Sequence, residues 1–217
     1  MSRTRTALRR AAVLVAVVAV LAFSSGTSSA APGQSSDGVL PANGDWSELE
    51  TTWATNFIRQ LERDLPEHYS DPNAIEELGF VDIGPIVPGG YRHFVNVSWM
   101  ADGHILNPRY PESIVYQRTA TGDWDVVAAM FFLWPTATMD TIPDMVRWLP
   151  GWHTHPELCS DAQGRVVGTP LGGDCPPGSA PVTTPMMHGW IVDNECGHRF
   201  GGLDGGGLHC DYEHDHH

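Results

Sequence analysis

Three segments of the chain carry histidines in positions where they could bind a metal ion. The first is G-W-H-T-H-P, in which His153 and His155 lie two residues apart. On an extended strand such residues point to the same side, so both imidazoles would face one centre. His93 and His188 alternate with apolar residues in the other two segments. Because imidazole is a frequent ligand of transition metals, we expect these four side chains to bind copper or zinc.

Two carboxylates near these segments leave a catalytic alternative open. Glu157 follows the H-x-H pair by two residues, and Glu112 precedes an apolar strand. If the metal kept a position for water or oxygen, Glu112 or Glu157 would serve as the general base of an enzyme. A histidine on an apolar strand face also fits a structural role in a core. A third class, a disulfide-stabilised structural or interaction protein of the cell envelope, therefore stays open as well.

The first thirty residues have the pattern of a secretory signal peptide. Four arginines precede an uncharged apolar run over residues 11–23, and Ser28-Ser29-Ala30 supplies small residues for cleavage. The apolar run is shorter than the roughly 20 residues that a membrane-spanning helix needs. We therefore expect residues 1–30 to be removed, no stable membrane insertion afterwards, and a location outside the cell or in its envelope.

The charge of the chain excludes several kinds of partner. The full sequence has 12 basic residues, all arginine, against 26 acids, and a formal charge of −14. Cleavage would remove four of those arginines and leave 8 against 26, a charge of about −18. Nucleic acids and anionic membranes require a positive surface, so neither is an expected partner. A metal cation is.

The last third of the chain contains all four cysteines, which predict two disulfides. An even count in an oxidising compartment is typical of disulfide pairing. Of the three possible pairings we favour Cys159–Cys175 and Cys196–Cys210, because each closes a short glycine-rich loop. The tail beyond this region is rich in histidine and acid and either binds metals loosely or only keeps the protein soluble. Its candidate ligands are His209, His214, His216 and His217.

The elements that must position these residues form one domain over residues 45–203, between a Gly/Ser/Pro-rich lead-in at 31–44 and the tail at 204–217. Asp45 and Glu48 predict a capping box, followed by an amphipathic helix that ends at Pro66. Its apolar stripe consists of Leu49, Trp53, Phe57 and Leu61. A second short helix over residues 71–78 should stop at Gly79.

From Tyr91 onward the apolar pattern changes to a period of two, which predicts strands. One strand places His93, Val95, Val97 and Trp99 on the same face. Residues 113–118 and 124–134 predict a hairpin whose second arm is apolar on both faces and therefore central. Residues 151–156 and 184–194 are the last extended segments. The fold class is α+β with a mainly antiparallel, barrel- or cupin-like sheet.

Several motifs resemble those of a family of uncharacterised exported bacterial proteins of actinobacterial type. The motifs are G-G-Y-R-H-F-V-N (89–96), N-P-R-Y-P-E-S-I-V-Y (107–116) and T-P-M-M-H-G-W-I-V-D-N-E-C-G (184–197). The resemblance spans residues 80–201, and Glu195 and His198 depart from the family's usual ending. It places His93, Glu112 and His188 in shared motifs and implies no particular activity.

Overall fold

The structure is a computed structural model that describes residues 38–42, 44–84, 90–169, 174–194 and 197–201. The predicted signal peptide, Cys196, Cys210 and the histidine-rich tail lie outside these residues. Within the described part, no helix has the length and apolar character needed to cross a membrane.

The long helix α1, Glu48–His68, begins at a capping box formed by Ser47 and Glu50. The Ser47 hydroxyl accepts from the Glu50 main-chain N–H at 3.2 Å, and the Glu50 carboxylate accepts from Ser47 N–H at 2.8 Å. The capping box predicted at Asp45 and Glu48 is therefore wrong by two residues. Pro66 lies inside the last turn of α1 and does not end it.

The buried face of α1 differs from the predicted stripe. Leu49 is 79% exposed, and the buried apolar residues are Ala54, Phe57, Ile58, Leu61 and Leu65. A stripe at strict four-residue spacing drifts around a helix of 3.6 residues per turn, so its first members leave the face that its last members share.

The rest of the described domain is a mainly antiparallel sheet that curls into a half-barrel, which confirms the α+β class. The strand order is β1-β2-β3-β4-β7-β5-β6, with β8 paired to β7. The strands are β1 Val81–Asp82, β2 Tyr91–Val95, β3 Ser113–Arg118, β4 Trp124–Phe132, β5 His153–Asp161, β6 Val166–Gly168, β7 Ser179–Trp190 and β8 Phe200–Gly201. A short helix α2, Asp144–Arg147, precedes β5.

The hairpin predicted over residues 113–134 is confirmed as β3 and β4. As expected from its apolar residues, β4 lies in the middle of the sheet between β3 and β7. The strand predicted to carry Val97 and Trp99 ends earlier, at Val95, because the chain turns into a 3-10 helix at Trp99–Ala101. Gly79 ends the short 3-10 helix Ile75–Leu78 with φ +89°, as predicted, although that helix is only four residues long.

The two faces of the sheet bury different apolar clusters. One face packs against α1 and includes Phe94, Tyr116, Phe131 and Met187. At Gly189 this packing is so close that an added Cβ would lie 2.6 Å from Leu61 Cδ1. The other face buries a smaller cluster, which comprises Val95, Val115, Val127, Ala128, Met130, Phe132, Met186 and Trp190.

A disulfide joins Cys159, in β5, to Cys175 in the loop that leads to β7. This confirms the first of the two predicted pairings. The second, Cys196–Cys210, falls on residues that the structure does not describe.

Candidate metal centre

All four histidines predicted as ligands lie on the sheet face opposite α1. Directly opposed residues of an antiparallel sheet point to the same side. His93 is opposite Val115, which belongs to the smaller apolar cluster, and His188 is opposite Met130, another member of it. His153 is opposite Met186 in the same way. His155 is opposite Val182, which packs against that cluster.

The four side chains form one continuous group, which we call the histidine cluster. His93 Nε2 lies 3.4 Å from His188 Nε2. The His153 ring lies nearly parallel to the His188 ring, with centroids 5.4 Å apart and an interplanar angle of 8°. The rings of His153 and His155 are 5.0 Å apart and almost perpendicular. Three separate segments of the sequence thus meet at one place.

The curl of the sheet explains why His93 and His188 meet. Their strands, β2 and β7, are separated by β3 and β4. In a flat sheet three strand spacings amount to about 14 Å, and side chains stand parallel to one another. In this protein the sheet curls, and on its concave face the side chains of His93 and His188 come into contact. The residues across from His93 on the intervening strands are Val115 and Ala128, which are small enough to leave the space between the two rings.

Hydrogen bonds at Nδ1 set the orientation of two rings. His153 Nδ1 lies 2.7 Å from the Gly151 carbonyl oxygen, and His155 Nδ1 lies 2.6 Å from a carboxylate oxygen of Glu157. Both partners are acceptors, so each Nδ1 carries the proton and donates it. In the neutral rings Nε2 then carries the lone pair. Metal-binding histidines in proteins usually donate their second nitrogen to a carbonyl or a carboxylate in this manner.

The cluster extends from the interior to the protein surface. His188 is 1% exposed, whereas His93, His153 and His155 are half-buried. Burial, with smaller contributions from the neighbouring His155 and His153, lowers the pKa of His93 to about 4. Burial also places the pKa of His188 well below its ordinary value, and His153, His93 and His155 add to the effect. Both rings are therefore neutral at pH 7, the state in which imidazole binds metals.

Two of the buried polar atoms on this face, Ser113 Oγ and Trp190 Nε1, lack a hydrogen-bond partner within the described residues. A buried polar atom without a partner costs about 1–3 kcal/mol, and such atoms in native proteins are commonly satisfied by a water or an ion. The concave face is therefore apolar in outline with several polar atoms directed into it, which is the usual character of a binding site.

The His93–His188 pair has the spacing of two ligands of one ion. Two nitrogens bound tetrahedrally at 2.0–2.1 Å from zinc lie about 3.3 Å apart, close to the 3.4 Å between these Nε2 atoms. Within the described residues, however, no group of three or more His, Cys, Asp or Glu side chains has the arrangement of a metal site. The rings of His153 and His188 are stacked almost parallel, so the in-plane lone pairs of these two rings do not converge on one ion.

Of the two carboxylates predicted as partners, the structure brings only Glu157 to the cluster. Glu112 precedes Ser113, and alternation directs its side chain away from the face that Ser113 shares with His188. Its Oε2 accepts from Phe132 N–H at 3.4 Å, and burial raises its pKa to about 8. Arg92, another polar neighbour of His93, pairs with Asp82 at 2.6 Å. The geometry therefore gives no support to Glu112 as a base acting at the cluster.

Two methionines beside the histidines were not singled out from the sequence. Met130 and Met186 belong to segments that were predicted only as apolar strands, and both are buried. Their positions opposite His188 and His153 depend on strand register, which the one-dimensional pattern does not specify. The tail histidines His209, His214, His216 and His217 lie outside the described residues.

A separate concavity of about 310 Å³ lies at the end of α1 and is lined by Arg63, Asp64, His68, Tyr69, Pro108, Arg109 and Tyr110. None of the four clustered histidines lines it. Arg63 and Asp64 already form an ion pair of 2.6 Å there, so the charges of this concavity partly neutralise each other.

Comparisons of the chain with models of protein families, with curated proteins and with solved structures find no match. The resemblance to exported bacterial proteins stays a prediction from the motifs, and the functional argument depends on the geometry of the cluster.

Proposed function

We propose that this chain is an exported protein that binds a transition-metal ion through the histidine cluster. The observation that carries the proposal is the 3.4 Å separation of His93 Nε2 and His188 Nε2, on a buried concave face. These two side chains would be the first two ligands. Because they come from β2 and β7, distant strands of the sheet, an ion would link the two sides of the half-barrel.

His153 and His155 would complete the coordination. His153 donates its Nδ1 proton to the Gly151 carbonyl, and His155 donates its Nδ1 proton to Glu157. Each ring would therefore bind a cation through Nε2. For His153 this requires the ring to rotate out of its parallel stack on His188. Their strand, β5, has irregular register with β7 on both sides of His155, which favours such an adjustment.

The strongest competing explanation is a structural one, in which His93 and His188 share an N–H···N hydrogen bond inside a core. The same distance allows it. Two features favour the metal. The other two rings direct their protons outward to fixed acceptors, and Ser113 and Trp190 contribute further buried polar atoms to the same face.

The test is metal retention by the full chain, with the four tail histidines replaced by glutamine so that the imidazoles of the tail cannot contribute. The protein is produced in an oxidising compartment without an affinity tag, exposed to zinc or copper, dialysed and analysed for metal content. We expect about one ion per chain. In a His93→Gln/His188→Gln variant we expect retention to fall at least tenfold. Glutamine suits the test because both histidines are neutral at pH 7, so the charge does not change.

His104→Gln is the matched control, since His104 is an exposed histidine that pairs with Asp102 at 3.0 Å, away from the cluster. Its metal content should equal that of the parent. Tryptophan fluorescence and thermal melts establish that each variant is folded. A folded parent protein that retains neither metal would refute the proposal and favour a structural role for the histidines.

A further inference from the structure

The histidine cluster is accompanied by two thioethers on the same face. Met130 lies directly opposite His188 across the β4–β7 pairing, and Met186 lies directly opposite His153 across the β5–β7 pairing. Met186 is also two residues before His188 on β7, so their side chains point to the same side of the strand. Directly opposed residues have Cβ atoms about 4.5–5.5 Å apart. Each sulfur therefore sits on a flexible side chain one position away from a proposed ligand.

Both methionines are buried, with 3% and 2% exposure for Met130 and Met186. Their apolar neighbours on this face include Val95, Val115, Ala128 and Phe132, and the Ser113 hydroxyl lies directly opposite Met130. A bound ion would therefore lie among buried groups, His188 and the two sulfurs, with His93 toward the more exposed side.

The charge of the surroundings distinguishes between ions. The rings of His93 and His188 are neutral at pH 7, as are the thioethers; Glu157 is hydrogen-bonded to His155, and the carboxylate of Asp82, near His93, is paired with Arg92. The cost of burying an ion among neutral groups rises with the square of its charge, so a divalent ion costs about four times as much as a monovalent one. Soft thioether sulfur also selects Cu(I), whereas zinc prefers imidazole, thiolate and carboxylate.

We propose, on the basis of the function proposed above, that the ion is monovalent copper, held by His93 and His188 together with thioether sulfur from Met130 and Met186. The assignment is specific to Cu(I): the methionines would contribute to its affinity and would contribute little to the affinity for Zn(II). In this assignment the two thioethers take the coordination positions given above to His153 and His155, which would then serve, nearer the solvent, as the entrance to the site.

The competing role for Met130 and Met186 is that of side chains that fill the irregular space of a core. The two roles predict different results when both methionines are changed to leucine. Leucine has a similar volume and usually costs less than about 1.5 kcal/mol at a core position, but it has no sulfur. Met187→Leu is a matched control, because Met187 is the next residue of the same strand, is fully buried, and lies on the opposite face against α1.

The experiment measures Cu(I) affinity under anaerobic conditions with ascorbate, by competition with a chromophoric Cu(I) chelator, and Zn(II) affinity with a chromophoric zinc chelator. The proteins are full chains with the tail histidines replaced by glutamine. For Met130→Leu/Met186→Leu we expect the Cu(I) affinity to fall at least tenfold and the Zn(II) affinity to change less than threefold. Met187→Leu should change neither. X-ray absorption at the copper edge should detect sulfur in the parent protein and only nitrogen in the double variant.

The outcomes separate this inference from the function on which it rests. If the double variant binds Cu(I) as tightly as the parent while His93→Gln/His188→Gln binds no metal, the histidine site stands and the role of the methionines is overturned. A parent that binds Zn(II) but not Cu(I) likewise overturns the inference alone. A folded parent that binds neither ion overturns both.

Discussion

Replacing Glu112 by glutamine should stabilise the protein at neutral and alkaline pH and leave its stability near pH 4 unchanged. Glu112 is fully buried, and its carboxyl group is hydrogen-bonded only by main-chain N–H groups, its own and, at 3.4 Å, that of Phe132. Burial raises its pKa from 4.5 to about 8, with a smaller contribution from Asp102. The carboxyl group is therefore protonated in the folded protein at pH 7 and ionised in the unfolded chain.

The sign and size of the effect follow from that difference. A group whose pKa is higher in the folded state contributes stability below its unfolded pKa, and this contribution is lost as pH rises to the folded value. For Glu112 the loss begins near pH 4.5 and ends near pH 8. Each pH unit in this window costs about 1.4 kcal/mol, so the free energy of unfolding should be lower at pH 7 than at pH 4.5 by about 3 kcal/mol through this group.

Glutamine has the same shape, keeps an oxygen for Phe132 N–H and cannot ionise. The assay is urea unfolding followed by tryptophan fluorescence at pH 4.5, 6, 7 and 8. The difference in unfolding free energy between variant and parent should grow with pH, from near zero to about 3 kcal/mol at pH 7. Glu76→Gln, at an exposed carboxyl of the 3-10 helix Ile75–Leu78, controls for the loss of one negative charge. A difference that stays constant across this range would show that Glu112 does not titrate as its burial requires.

Three further predictions concern the stability of the fold. Changing Cys159 and Cys175 to serine should lower the free energy of unfolding by about 3 kcal/mol, because the disulfide closes a separation of 16 residues; urea unfolding measures it, and a loss well under 1 kcal/mol would contradict the reasoning. Gly151→Ala should lower the melting temperature, since Gly151 has φ +84° and an added Cβ would lie 2.7 Å from Gly201 Cα. An unchanged melting temperature would show that β8 moves aside at no cost. Leu61→Ala should cost about 2–5 kcal/mol in chemical denaturation, because Leu61 is fully buried where α1 meets the sheet; a cost below 1 kcal/mol would mean that the helix closes the cavity.

The sequence pattern was informative where local rules decide the structure. The hairpin of β3 and β4, the central place of β4 and the left-handed stop at Gly79 all follow from short-range preferences, and the structure has them. The sequence also predicts the Cys159–Cys175 disulfide, because these two cysteines are close in sequence and their pairing closes a short glycine-rich loop. The errors at α1 arose from small differences between similar local signals. Ser47 and Asp45 are both good N-caps and each is followed three residues later by a glutamate, and the helix begins after Ser47.

The candidate site could be predicted only in part. Alternation placed His153 with His155 and His188 with Trp190, and the structure has both arrangements. The predicted ligand set requires His93 to reach His188, but no local pattern indicates that contact, because it depends on the curl of the sheet across two intervening strands. Strand register equally determined that Met130 and Met186 join the histidines and that Glu112 does not. These are long-range properties for which the chain pattern carries no direct signal.

The strands that carry the histidine cluster differ in how regularly they pair, and this difference should affect the rate at which an ion exchanges. β4 and β7 pair in unbroken register from Ala128 to Phe132, so His188 lies on a rigid support. β5 shifts register twice between His153 and Cys159, and the disulfide limits how far that strand can separate from its neighbours. Opening and closing would be confined to the β5 side. Substitutions in β5 should therefore change how fast an ion enters and leaves, and substitutions on β2 and β7 should change how tightly it is held. Exchange rate and affinity would then be separately adjustable properties of one small sheet.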